Sequence, residues 1–477
     1  MRKLVASLLS VLTWGIAPVP FTAEAAPIPD PSYVHIARRF SRQFPDEHLR
    51  HLPIDAAVSA RAWTNYIASL DMERVYFLAS DIARFKAHEL SLGEKLKSGD
   101  VDFAYQVFGV FTERVKDRYE YVCSLLDKGV DLQQKEVYRW KRQAAHWPAD
   151  EAEWNDLWRK KIENECIQQI VGRELAAATN KVEHKEGENN EKSLLPSPQE
   201  LIRQRYKQLM FVLNDSDAEW VFQKYLTAFT QAYDPHSSYM SLNSMDDFDI
   251  EMKLSLVGIG ALLSAEDGFA KIVRLIPGGP ADLDTRERRL RPNDKICAVG
   301  EGDQPPVDIK HWPLQKIVKL IRGEKGTKVV LTVIPASDPT GSTTKTVDLL
   351  RDEVKLEEQA ATNRIEQVKT SEGAILNLAV ITLPTFYANM KASSISDDDF
   401  KSSSYDVARI LDETKRKNVD GVILDLRSNG GGSLMEAIKL TGLFIGTGPT
   451  VQVKERALKV LPDLDPNVSY AGPLIVL

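Results

Sequence analysis

An apolar run that ends in three consecutive glycines and restarts as a helix constrains this chain more than any other feature. Val422-Ile423-Leu424-Asp425-Leu426-Arg427-Ser428-Asn429 leads into Gly430-Gly431-Gly432, and Leu434 to Phe444 then carries helical spacing. A strand feeding a helix through so short a turn is a unit of an α/β layer. The turn exposes N–H groups at a helix N-terminus, where negative charge is stabilised. Two guests suit it: a phosphate, or the oxyanion of an acyl-transfer intermediate. No Walker lysine follows the glycines, and the G-x-G-x-x-G spacing is not met, which argues against a nucleotide. The bland alternative is that the glycines serve only close packing of helix on strand.

Neighbouring segments extend the same layer. Ala374 to Leu383 reads as strand and Tyr405 to Lys417 as helix, while Pro473 to Leu477 begins another buried strand. That alternation predicts a parallel component. A buried strand is normally followed by a turn, so the expectation is an unfinished sheet in a piece of a longer protein.

Between Asp234 and Arg351 the texture differs. Short β-type runs, such as Ala270 to Ile276 and Lys328 to Ile334, are punctuated by Gly and Pro. One short helix shows in Leu314, Ile317, Val318 and Ile321, at i, i+3, i+4 and i+7. Leu256-Val257-Gly258-Ile259-Gly260 precedes the apolar Ala261-Leu262-Leu263. Two glycines around one aliphatic residue let successive N–H groups turn inward, a nest suited to a peptide α-carboxylate. The helix would wall a groove beside it, and the β-edge would pair with an extended peptide. Pro277-Gly278-Gly279-Pro280-Ala281, Asn293-Asp294-Lys295-Ile296 and Gly323-Glu324-Lys325-Gly326 follow in an order and spacing similar to a PDZ domain.

From Pro53 to about Phe229 the pattern is helical. Ile202, Tyr206, Leu209 and Leu213 form one stripe, and Phe222, Tyr225, Leu226 and Phe229 another, with Ser216 and Glu219 as a capping box before it. Trp140, Trp147, Trp154 and Trp158 read as core anchors. Lys181 to Gln199 is polar and charge-rich, an exposed loop. At the start, Arg2-Lys3, the apolar Leu4 to Ile16 and Ala23-Glu24-Ala25 form a secretory signal peptide, cleaved after about Ala25. The apolar run is too short for an ordinary membrane span. An uncleaved anchor is the alternative, and the only membrane contact expected.

With 61 basic against 68 acidic residues the net charge is −7, which offers no basic face to nucleic acid. Cys123, Cys166 and Cys297 make no CxxC pair, so neither a zinc site nor a disulfide framework is expected. His48 and His51 read as surface rather than metal ligands. No cofactor is implied.

The segment Leu424 to Gly432, with the PDZ-like segment upstream, resembles the tail-specific, or carboxyl-terminal processing, serine proteases of bacteria. Leu70-Asp71-Met72-Glu73-Arg74-Val75-Tyr76-Phe77-Leu78-Ala79-Ser80-Asp81-Ile82 looks like that family's N-terminal helical segment, and Asp234-Pro235-His236-Ser237-Ser238-Tyr239 like the stretch entering its PDZ domain. The resemblance implies a PDZ domain that captures protein C-terminal tails, with Leu256 to Gly260 as the carboxylate loop. It implies a serine nucleophile activated by lysine, without metal, and an oxyanion hole at Gly430, Gly431 and Gly432. The family's serine follows a strand like Gly472 to Leu477, so both catalytic residues are expected after Leu477. Ser433 and Lys439 do not replace them: six helical residues turn about 600°, which points the two side chains apart. Ser428 lies in the loop, and His236 reads as stabilising its turn rather than as a base.

The expectation is therefore a multidomain α+β protein: signal peptide 1–25, α-helical domain 26–237 with a flexible loop at 181–199, PDZ domain 238–351, and incomplete α/β protease domain 352–477. It would be exported to a bacterial periplasm. By resemblance it is a tail-specific serine endopeptidase, inactive as given. The alternatives are a catalytically dead peptide-binding adaptor, or one half of an interrupted gene without function of its own.

Overall fold

Aromatic side chains have to be buried somewhere, and the first half of this chain buries them between helices. The computed structural model describes residues 27–183, 196–266, 268–338, 341–356, 359–388, 401–455 and 457–477. The expected signal peptide and most of the loop expected at 181–199 lie outside the described residues. Two compact units form, Met1–Tyr239 and Met240–Leu477.

The first unit is helical: α1 (Tyr33–Glu47), α2 (Ala56–Asp71), α3 (Ala79–Lys86), α4 (Leu92–Ser98), α5 (Asp102–Lys128), α6 (Glu151–Glu183), α7 (Pro198–Asn214) and α8 (Ala218–Gln231). Tyr66, Phe77, Phe108, Phe222, Tyr225 and Phe229 are fully buried among them. Each such ring withdrawn from water contributes about 1.5–3 kcal/mol. The Leu70–Ile82 segment is a polar knot inside this core. The Asp71 carboxylate accepts the amides of Val75, Tyr76 and Phe77 at 2.8, 3.2 and 3.0 Å, and the Trp147 indole at 3.1 Å. The Val75 carbonyl accepts both the Trp154 and Trp158 indoles at 2.7 Å. Burial raises the Asp71 pKa, against the pull of those donors.

Three expectations change here. Trp140 is no core anchor; it is 65% exposed and lies under the Lys141 ammonium. Ser216 does not cap α8, because Asp217 accepts the Trp220 amide at 3.0 Å instead, while the Ser216 hydroxyl turns back to the Val212 carbonyl. A carboxylate is the stronger acceptor for an orphan helix amide. And α1 precedes the expected helical start at Pro53.

The second unit continues with α9 (Leu242–Lys253), β1 (Ser255–Gly258), β2 (Ala261–Glu266), β3 (Phe269–Leu275), α10 (Pro280–Leu283), β4 (Lys295–Glu301), β5 (Val307–Asp308), α11 (Leu314–Ile321), β6 (Lys328–Ile334) and β7 (Lys345–Leu350). There follow β8 (Asp352–Lys355), β9 (Thr362–Lys369), β10 (Ile375–Thr382), α12 (Ser403–Arg416), β11 (Gly421–Asp425), α13 (Leu434–Gly442), β12 (Gly448–Lys454), β13 (Leu458–Asp463) and β14 (Leu474–Val476). One antiparallel sheet runs β2-β3-β4-β6-β7, with β5 on β4; a second runs β14-β11-β10-β9. β11 pairs in parallel with β10 and with β14, as the alternation predicted.

The strands entering and leaving the first sheet pair with each other. β1 runs antiparallel to β8, Ser255 opposite Lys355 and Gly258 opposite Asp352. At the far end of this ribbon Leu254 is buried in the core of the second sheet, with Leu356 packed against it. β14 forms where the sequence places a strand, at the edge of this sheet, with Ile475 56% accessible. Among the described residues it pairs with β11 alone.

Candidate peptide-binding and oxyanion sites

Ile259 and Gly260 sit where β1 ends and β2 begins. Gly260 has φ +73°, a left-handed conformation open to glycine at no steric cost. A Cβ there would lie 2.9 Å from the α-carbon of Gly279. The Pro277–Ala281 segment thus exists to lay backbone on backbone: Ile276 N–H donates to the Gly260 carbonyl at 2.8 Å, and Ala281 N–H to that of Ile259 at 2.9 Å. Both carbonyls of the loop are engaged, while neither the Ile259 nor the Gly260 amide has a partner among the described residues. Two adjacent donors left open are what an anion nest requires.

β2 lies at the edge of its sheet, with α11 packed beside it. Of the apolar residues expected to line the groove, Leu256, Val257, Leu314 and Val318 are half-buried. Ile259, Ile317 and Ile321 instead belong to the closed core under the groove. Gly258 is buried but has no left-handed φ, so the conformational demand falls on Gly260.

Arg351, which carried no sequence signal, holds α11 in place. It is 1% exposed; its guanidinium donates to the Ile321 and Leu320 carbonyls at 2.9 Å, to Thr327 at 2.8 Å and to Glu301 at 2.8 and 2.5 Å. The helix's orphan C-terminal carbonyls are satisfied by a side chain from beyond β7. Gly323 is glycine because a Cβ would meet that guanidinium at 2.9 Å. Asp294 plays a similar part: it is buried, accepts the Arg291 and Ala336 amides at 3.0 and 2.9 Å, and pairs with Lys345 at 2.8 Å.

The glycine turn after β11 is built from the next strand's exit. Asn429 donates to the Leu383 carbonyl at 2.8 Å and accepts the Gly431 amide at 2.8 Å. Gly430 N–H donates to the Pro384 carbonyl at 3.3 Å, and Phe386 N–H to the Gly431 carbonyl at 2.8 Å. A Cβ on Gly432 (φ +137°) would strike the Phe386 carbonyl oxygen at 2.5 Å. Of the three amides expected for an oxyanion, those of Gly430 and Gly431 are thus engaged. The Gly432 amide has no partner among the described residues. Asp425, below the turn, accepts Arg427 at 2.9 and 2.7 Å, which holds its carboxyl down at about 2.

Among the described residues no base is hydrogen-bonded to the Ser433 side chain. Its hydroxyl caps α13 by accepting the Glu436 amide at 3.4 Å, and Lys439 pairs with Glu436 at 3.2 Å. Ser428 is exposed with φ +65°. His236 is 90% exposed and bonds Asp234 at 3.2 Å, within its own turn. His48 meets the Tyr233 ring edge-on, with centroids 5.2 Å apart. Cys123, Cys166 and Cys297 are free thiols. Among the described residues no group of three or more His, Cys, Asp or Glu is placed to hold a metal, and no helix is long and apolar enough to cross a membrane.

Residues 40–243 match the family model "Tail specific protease N-terminal domain", and residues 377–477 match "Peptidase family S41". The chain is 33% identical over 443 residues to a tail-specific protease of Haemophilus influenzae, covering 92% of this chain and 58% of that one. It is 30% identical over 226 residues to the carboxy-terminal processing protease CtpA of Bacillus subtilis, covering 46% of this chain and 40% of that one. It thus spans less than two thirds of the length of either relative. Among solved structures, the PDZ domain of a carboxy-terminal protease from Vibrio cholerae, in complex with peptide, is 39% identical over 22% of this chain and all of that one, with a TM-score of 0.20. A photosystem II D1 C-terminal processing protease is 20% identical over 58% of this chain and 67% of that one, with a TM-score of 0.25.

Proposed function

Homology to tail-specific proteases on both sides of the β1–β8 ribbon is the premise from which we propose that this chain recruits substrate for a serine endopeptidase acting on protein C-terminal tails. The observation that carries the reading is the pair of open amides at Ile259 and Gly260, beside the free edge of β2 and the half-buried Val318 of α11. A C-terminal carboxylate would sit on the amides, the last apolar side chain against α11, and the peptide backbone along β2. The domain limits are 26–237, 238–351 and 352–477, behind a signal peptide at 1–25 that directs export to a bacterial periplasm.

The family resemblance implies a nucleophilic serine and a lysine, roles that Ser433, capping α13, and Lys439, paired with Glu436, do not fill. The serine hydroxyl would attack the scissile carbonyl while the lysine amine, kept neutral by burial, takes its proton. The open Gly432 amide would then donate to the oxyanion. The engaged amides of Gly430 and Gly431, and the capping role of Ser433, favour a second reading for residues 1–477 taken alone: peptide binding without hydrolysis.

Two measurements test this. The purified chain should bind a peptide with an apolar C-terminal residue more tightly as free acid than as amide, by roughly ten- to hundredfold, and should cleave nothing. Turnover abolished by Ser433→Ala or Ser428→Ala would place the active site inside the chain. The reading frame after the Leu477 codon should encode the serine and a later lysine; neither being there would leave only the adaptor.

A further inference from the structure

The carboxylate loop has a cationic neighbour that no sequence motif marked. Arg322 is the residue that ends α11, its own amide bonded to the Val318 carbonyl at 2.9 Å. A Cβ on Gly258, the last residue of β1, would lie 3.8 Å from Arg322 Cγ. The stem of this side chain therefore lies against the loop, one residue from the open Ile259 amide. Its guanidinium is turned to α9, where Nη1 donates to Asp247 Oδ1 at 2.8 Å. The two side chains are 33% and 57% exposed, so the pair is solvated and weakly held.

We propose that Arg322 is a ligand for the C-terminal carboxylate of a bound peptide, and that Asp247 is the internal carboxylate from which the peptide takes it. The inference rests on the peptide-capture reading above and adds a competition to it. Asp247 and a peptide terminus present the same chemistry, a carboxylate that can accept from the guanidinium fork. With its Cγ beside Gly258, the flexible side chain would swing its guanidinium from Asp247 to an anion seated on the neighbouring Ile259 and Gly260 amides, exchanging one carboxylate for the other. An amidated terminus keeps an acceptor oxygen for the nest but brings no charge, and gives Arg322 no reason to leave Asp247. Arg322 therefore adds a preference for free C-termini beyond that of the backbone amides, and Asp247 sets how much of it is felt.

A fluorescein-labelled decapeptide ending in valine, as free acid and as amide, tests this by titration against the purified chain. Arg322→Gln should weaken the free acid about three- to tenfold and leave the amide unchanged, while Arg322→Lys keeps part of the preference. Asp247→Asn should tighten the free acid about two- to fivefold, again without effect on the amide, and should add nothing in the Arg322→Gln background. An unaltered acid-to-amide ratio in Arg322→Gln, with the wild-type chain still preferring the acid, overturns this proposal alone. So does an Asp247→Asn gain that survives loss of Arg322. A wild-type chain that binds acid and amide equally overturns the carboxylate-nest reading itself, and this proposal with it.

Discussion

Gly260 and Gly279 meet through their main chains, which makes them the most sensitive small residues in the proposed peptide site. Gly260→Ala imposes a left-handed φ on an L-residue and drives its Cβ to 2.9 Å from the Gly279 α-carbon. The expected cost is about 1–3 kcal/mol, with loss of peptide binding, measured by urea unfolding and by titration. Gly258→Ala meets the end of the Leu256 side chain at 3.2 Å and Arg322 Cγ at an ordinary 3.8 Å, and should cost well under half as much. Arg351→Met tests the cap on α11. Glu301 is 57% exposed and regains water, so the damage falls on the Leu320 and Ile321 carbonyls and the Thr327 hydroxyl, at about 1–3 kcal/mol in all. Asp425 gives a pH signature. Its carboxyl is held at about 2 by Arg427, below the ordinary 3.8, so the stability it adds is fully present above that ordinary value and lost as pH falls through about 2. Asp425→Asn should flatten acid unfolding across that window; an unchanged acid limb would show that the pair contributes nothing.

Among the elements, α13 depends on a buried carboxylate for its seat. Glu436 is 2% exposed and accepts the Ser404 amide at 2.9 Å and hydroxyl at 2.6 Å, joining the start of α12 to the first turn of α13. Burial pushes its pKa up, but Ser404 and Lys439 outweigh this and hold it below the usual range. Glu436→Gln should cost about 1–3 kcal/mol and speed amide exchange at residues 431–438 relative to β11; equal protection would show that the glycine turn is held without Glu436. How far such elements could be read from the sequence depended on what marked them. β6, α11, β11 and α13 carry strict periodicity or glycine punctuation, and they lie within a residue or two of where the sequence places them. α1 carries the same mark, with Tyr33, Ile36, Ala37, Phe40 and Phe44 at i, i+3, i+4, i+7 and i+11, but Pro45 lies inside it and Ala37 and Ser41 are its only buried residues, so the sequence reading begins the helical pattern only at Pro53. Tyr33 and Phe44 pack at its rim, on partners distant in sequence. The apolar positions of α11 announced a groove, yet periodicity cannot say which half of a stripe faces a ligand and which the core. Hydrogen-bond use was equally hidden: three glycines signal a turn, but only the Pro384 carbonyl and the Asn429 side chain decide which amides stay open.

At the scale of the whole molecule the two units report through different probes. Trp63, Trp140, Trp147, Trp154, Trp158 and Trp220 all lie in the first, whereas the second has Trp312, which is 41% exposed. Each unit closes its own cores. Unfolding followed by tryptophan fluorescence should therefore track the helical unit, while far-ultraviolet circular dichroism sums both, and the two curves should not coincide. Coincident curves would mean that the units unfold as one. The ribbon of β1 and β8 has a consequence of another kind. Ser255 and Lys355 face each other across it, and facing antiparallel residues stand about 4.5–5.5 Å apart. Everything between them leaves and returns through a single doorway in the second sheet's core. In genetic terms residues 256–354 are a cassette, one that recombination could lift out or exchange for another without respacing the host on either side.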